Sequence, residues 1–138
     1  MSPQFIDTNV LLYAYDPTDD RHARASDLVL RLARARQAAI SVQVMQEFYV
    51  NATRKIAQPL TFEQATARLE AFSRWFVYSP LPGDVIAAAR LGQRYQLSFW
   101  DAMVVLAATR LKCDTLWSED LNAGQVIEAV TIRNPFSD

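Results

Sequence analysis

Short apolar segments alternate with longer stretches of helical periodicity along the chain. This alternation implies a largely parallel sheet with helices packed against it. Phe5-Ile6 ends a first strand, and Asp7-Thr8-Asn9 then leads into the apolar Val10-Leu11-Leu12-Tyr13. Asp19 or Asp20 can cap a helix running to about Arg36, with Ala25, Leu28, Val29, Leu32 and Ala33 as its apolar stripe. A second strand is predicted over 38–42 and a helix from Gln43 to about Lys55. Thr61 and Gln64 form a capping box opening another helix to about Arg74. A third strand over 75–78 is closed by Pro80 and Pro82. Asp84 then caps a helix through about Gln96, and Ser98 opens the next, to about Lys112. Thr115-Leu116-Trp117 and Val130-Thr131-Ile132 are the last two strands.

With 138 residues the chain is read as one domain, 1–138, burying roughly two-thirds of the surface it exposes when unfolded. A composition of 51% hydrophobic and 21% charged residues excludes the disordered and fibrous classes. No segment approaches the roughly 20 apolar residues of a membrane span. Met1-Ser2-Pro3-Gln4 carries neither the basic cluster nor the apolar run of a signal peptide, so a cytoplasmic protein without a membrane partner is expected. Cys113, the only cysteine, cannot form an internal disulfide, and its apolar neighbours point to a core residue rather than a nucleophile. His22 is the only histidine, which leaves little for a histidine base or a zinc site. A net charge of -1 argues against a generally basic nucleic-acid coat. Yet Arg21, Arg24, Arg31, Arg34 and Arg36 crowd one stretch. It is either a phosphate-contacting surface, since guanidinium donates two hydrogen bonds to one group, or a solvated helix face.

Four acids carry the functional reading. Asp7 lies just past the end of the first strand and Asp120 three residues after Trp117. In open parallel sheets ligands bind at the C-terminal edges of the strands, where the following helices also begin. Asp101 falls in the first turn of its helix and Glu47 in the early part of another, so all four can face that edge. From Phe99 to Ala108, Asp101 is the only polar residue. A helix apolar on every side belongs in the interior, where a carboxylate must be paired, metal-bound or protonated. Competing structural roles exist for each acid. Asp101 can close a capping box with Ser98, Asp7 can cap the helix beginning near Asn9, Glu47 can face solvent, and Asp120 can be an ordinary loop acid.

Convergence of four carboxylates calls for a cation, because two unit charges about 4 Å apart repel by roughly 4 kcal/mol at an effective dielectric near 20. All-oxygen ligation without His or Cys selects Mg²⁺ or Mn²⁺. Such an ion polarises a phosphoryl oxygen and makes a nucleophile of bound water, the chemistry of phosphodiester hydrolysis.

The chain resembles the PIN-domain ribonucleases, and especially the toxin half of VapBC-type toxin–antitoxin modules. The resemblance rests on Phe5-Ile6-Asp7-Thr8-Asn9-Val10-Leu11, Gln46-Glu47-Phe48-Tyr49, Trp100-Asp101-Ala102 with its apolar helix, Ser118-Glu119-Asp120-Leu121-Asn122, and Asn134-Pro135-Phe136. It implies a three-layer α/β/α fold with a central parallel sheet and Mg²⁺- or Mn²⁺-dependent cleavage of single-stranded RNA. Asp7 and Asp101 resemble the principal metal ligands. Glu47 and Asp120 would complete the acidic cluster, orienting water or holding a second ion, and Asn9 and Ser118 match accessory polar positions. Homodimers and inhibition by a small antitoxin protein are also implied. Asn122 stands where relatives carry another acid, leaving one or two metals open. Asp16 and Asp84 are read as caps.

Three other readings compete. A haloacid-dehalogenase-like phosphatase would need a second Asp at the position of Asn9. A housekeeping PIN nuclease in RNA processing would share the site, and a non-catalytic module binding RNA or protein would tolerate loss of Asp7 or Asp101. Trp100, the Arg-rich stretch and residues 58–61 are candidate RNA contacts, with a core position as the alternative for Trp100.

Overall fold

Phe5 and Ile6 are fully buried at the centre of a six-stranded sheet, and the rest of the fold is arranged around them. A computed structural model describes residues 1–137. In chain order the elements are β1 (Gln4–Ile6), α1 (Thr8–Tyr13), α2 (His22–Arg34), β2 (Ala38–Ser41), α3 (Val42–Arg54), α4 (Phe62–Phe72), β3 (Phe76–Tyr78), α5 (Pro82–Tyr95), α6 (Phe99–Arg110), β4 (Thr115–Trp117), β5 (Val126–Ile127) and β6 (Val130–Arg133). The sheet order is β3-β2-β1-β4-β6-β5, parallel throughout except for β5, which pairs antiparallel with β6. Helices α1 to α4 pack on one another and α5 packs on α6. Right-handed crossovers put these two groups on opposite faces, giving three α/β/α layers. Buried residues from all layers form one contiguous cluster, which includes Cys113. Burial pushes the Cys113 thiol up to about 12, consistent with an inert core residue.

Local chemistry sets the helix starts. Ser41 accepts from the Val44 amide, Ser98 from the Asp101 amide, and Thr61 with Gln64 makes the expected reciprocal box. Several boundaries differ from the sequence expectation. Val42 begins α3 rather than ending β2, because Ser41 turns extended and caps the helix. Neither Asp19 nor Asp20 is the N-cap of α2; that position is Arg21, whose side chain caps no helix amide, and Asp19 Oδ1 accepts from the Arg21 amide just ahead of the helix. Asp84 sits inside α5, where its carboxylate accepts from the Leu81 amide, and Asp16 binds the Thr18 amide and hydroxyl in a turn before α2. Strand β5 was not anticipated.

One glycine governs how α6 is presented. A Cβ on Gly92 would lie 3.1 Å from the Leu97 carbonyl oxygen and 3.4 Å from the Ala102 Cβ. Its absence lets the end of α5 close on the first turn of α6 through a left-handed Gln96. Asp101 is thereby held at the sheet edge. Among the described residues no helix is long and apolar enough to cross a membrane.

Candidate active site

The strand order reverses direction at β1 and β4, so the chain leaves these neighbouring strands toward opposite faces. A crevice opens between their C-terminal ends, the usual ligand position in such sheets. Asp7 follows β1 and Ser118 follows β4. The Asp7 amide donates to the Trp117 carbonyl at 2.9 Å, and the Ser118 hydroxyl donates to Asp7 Oδ2 at 2.8 Å. Asp7 Oδ1 accepts from the Thr8 amide at 2.8 Å, so the expected helix cap is present and leaves the carboxylate able to serve the crevice as well. With 7% of its surface exposed, Asp7 is pushed up to about 6 by desolvation. The Ser118 and Thr8 hydrogen bonds oppose that shift, while the charges of Glu47 and Asp120 add to it.

The other acids line the same cleft. Its walls are Asp7, Thr8, Asn9, Leu12, Gln43, Glu47, Asn51, Trp100, Asp101, Val104 and Asp120. Glu47, half-buried on α3 rather than fully in solvent, accepts from the Thr8 hydroxyl at 2.7 Å. Asn9 donates to Asp120 Oδ2 at 2.9 Å and accepts from the Glu119 amide at 3.3 Å. The Ser118 hydroxyl also accepts from the Asp120 amide at 3.2 Å. Asn9 and Ser118 therefore tie the loop after β4 to the end of β1. Asn122 is not among the cleft residues.

Asp101 departs from expectation in an instructive way. Residues Ala102 to Ala108 are buried as anticipated, but Asp101 itself is half-exposed at the cleft wall. Its amide donates to Ser98, yet its carboxylate does not reach back to close a capping box. The interior helix begins one residue later, and the Asp101 side chain is directed to the cleft instead of a structural bond. Trp100 lies beside it at 64% exposure, so the core reading of this residue is corrected.

A network unanticipated from sequence braces the Ser118–Asp120 loop. The Arg21 guanidinium donates to both oxygens of Glu119 at 2.9 Å and to both oxygens of Asp19 at 2.8 Å. It also stacks 3.9 Å above the Tyr13 ring, whose hydroxyl donates to Glu119 at 2.7 Å. Phe136 packs on Tyr13 as a T-shaped pair with ring centroids 5.4 Å apart. Arg21 is thus committed internally, which removes it from the phosphate-binding reading of the Arg-rich stretch. Replacing Arg21 with Ala is expected to cost about 1 kcal/mol of stability, a modest figure because the ion pairs are partly solvated. It should also raise amide exchange at Glu119 and Asp120. Unchanged exchange there would show that the network does not brace the loop.

The donor set is all oxygen and hence fits a hard divalent cation. A cation would also relieve the charge penalty at Asp7. Among the described residues, however, no three acidic, histidine or cysteine side chains stand close enough to enclose an ion as placed. Closing the acids on one requires side-chain rotation, for which half-exposed Asp101 and exposed Asp120 have room.

A family model of the PIN domain matches residues 5–128, and the chain belongs to the PIN-domain family. Solved structures share its fold at low sequence identity. A toxin–antitoxin complex from Klebsiella pneumoniae matches with a TM-score of 0.69 and 20% identity, over 98% of this chain and 99% of the other. VapC20 of Mycobacterium tuberculosis, a sarcin–ricin loop cleaving toxin, gives 0.66 and 18% over 90% and 96% of the two chains. VapBC2 from Rickettsia felis, bound to a promoter DNA fragment, gives 0.62 and 20% over 95% and 97%. A search of curated proteins found no match.

Proposed function

We propose that this chain is a Mg²⁺- or Mn²⁺-dependent endoribonuclease and the toxin of a toxin–antitoxin pair. The observation that carries the reading is the gathering of Asp7, Glu47, Asp101 and Asp120 in one cleft between the ends of β1 and β4. Family membership and the toxin–antitoxin origin of the structural neighbours support it.

Asp7 and Asp101 would hold the cation, directly or through water, with Glu47 and Asp120 completing the acidic set. When bound, the ion supplies Lewis acidity toward a phosphoryl oxygen and an activated water. The chain's own residues do the positioning. Ser118 and Thr8 fix the two oxygens of Asp7 through hydrogen bonds that favour its charged form. Thr8 orients Glu47, and Asn9 orients Asp120. The partners that follow from this reading are RNA as substrate, a small antitoxin protein, and a second copy of the chain in a homodimer.

The test is direct. Purified protein should cleave single-stranded RNA with Mg²⁺ or Mn²⁺ and stop on addition of EDTA. Induced expression should arrest growth, relieved by co-expressing a neighbouring small open reading frame; cleavage without growth arrest would point to a housekeeping nuclease. Asp101→Asn is expected to lower cleavage by about 100-fold or more. It should leave unfolding within roughly 0.5 kcal/mol of wild type, since no side-chain bond is lost. A variant that cleaves normally would remove Asp101 from the site.

A further inference from the structure

Beside the acids, the cleft carries a second kind of chemistry. Trp100 is 64% exposed in the first turn of α6, although an indole is among the side chains that gain most from burial. Phe99 forms a T-shaped pair with it, ring centroids 5.0 Å apart and planes at 76°, and most of the indole surface remains open to solvent. Gln43, in the first turn of α3, lines the same cleft with its side-chain amide unengaged among the described residues. Asn51, about two turns further along the same face of α3, spends its amide nitrogen on the Glu47 carbonyl at 2.8 Å and keeps its oxygen as an acceptor. An open π-face next to a paired donor and acceptor matches an unpaired nucleobase. Stacking on an aromatic ring tolerates any base, and an amide can pair bidentately with a base edge.

We propose that Trp100 and Gln43 form a nucleobase subsite beside the acids, Trp100 stacking on one unpaired base next to the scissile phosphate and Gln43 pairing with its edge. The subsite rests on the nuclease reading above and adds to it that the enzyme selects single-stranded RNA by one flanking base. Trp100 and Gln43 are specificity-determining residues, set apart from the four acids that face the phosphate.

The experiment uses the full chain with Mn²⁺ and a short single-stranded RNA oligonucleotide whose cleavage position has been mapped. Companion oligonucleotides carry an abasic nucleotide at each position on either side of the cut. Trp100→Ala should lower kcat/KM by about 5- to 150-fold, mainly through KM, with its thermal midpoint unchanged. Trp100→Phe should stay within a few-fold of wild type. One abasic position should reproduce the loss in wild type and add nothing in Trp100→Ala. Gln43→Ala should flatten the preference among the four bases at that position. Unaltered kinetics of Trp100→Ala, or abasic and Trp100 losses that simply multiply, would overturn the subsite while leaving the nuclease intact. A Trp100 defect seen only in binding a co-expressed protein would overturn it in favour of a protein interface. Wild-type protein that cuts no RNA would fail the nuclease reading itself.

Discussion

Asp7→Asn should abolish RNA cleavage, lowering kcat by about 10³-fold or more, while leaving a protein that folds at least as well as wild type. The loss follows from charge. An amide fills the same space but gives up the negative oxygen that a divalent cation needs, and electrostatic contributions at metal sites amount to several kcal/mol. The gain follows from burial. Asp7 is almost fully enclosed, and its ionisation is opposed by desolvation and by the neighbouring charges of Glu47 and Asp120. Asn carries no charge to desolvate, its oxygen can still accept from the Thr8 amide, and its nitrogen can donate to the Ser118 hydroxyl. Steady-state cleavage of a fluorescent RNA and a melting curve on the same preparation check both halves. Retained cleavage would sink the metal-site reading, and a melting temperature well below wild type would show that Asp7 is held chiefly for structure.

The same pairing of burial and charge explains what the sequence could disclose. Asp7 was legible because a carboxylate directly after an apolar strand falls on the sheet's C-terminal edge wherever that strand sits in the order. Asp101 was found through the apolar helix behind it, but the inferred burial was too deep, since the helix enters the interior only at Ala102. Glu47 was indistinct in isolation. Its partner Thr8 is 39 residues away, and only the pairing of β1 with β2 brings the two together. Arg21 was misplaced for a related reason. Nothing local distinguishes a guanidinium facing solvent from one that clasps Glu119 across 98 residues of chain. Strand β5 escaped because its hairpin turn uses Glu128 and Ala129, both at positive φ, where Asn-Gly or Asp-Gly would have announced it. Trp100 stayed open between RNA contact and core because an aromatic residue at a helix start reads equally as either, and its exposure is decided by neighbours. Patterns of period and capping thus disclosed the scaffold, whereas pairings across the sheet determined which polar groups meet.

In the absence of metal, the wild-type protein should become less stable as pH rises from about 4 to about 7, and Asp7→Asn should not share that decline. Asp7 has a folded-state value of about 6 against an ordinary value of 3.8. Between those two values the folded protein therefore binds more protons than the unfolded chain, so stability falls with pH and then levels off above about 7. A shift of about two pH units corresponds to a penalty of roughly 3 kcal/mol once Asp7 is fully ionised. Asp19 and Asp84 act in the opposite sense, their carboxylates held low by Arg21 and by the Leu81 amide, and so affect only more acidic solutions. A divalent cation favours the ionised form of Asp7, so its stabilising effect should be small near pH 5 and grow through pH 6 to 7, with uptake of Mn²⁺ releasing roughly three-quarters of a proton near pH 5.5. Urea unfolding at a series of pH values with EDTA or with Mn²⁺, together with calorimetric titrations in buffers of different ionisation enthalpy, measures both effects. If the metal-free protein instead gains stability from pH 4 to 7, or if Mn²⁺ binding releases no proton, Asp7 is already charged and compensated by the protein alone, and the cation is not what resolves the charge at the end of β1.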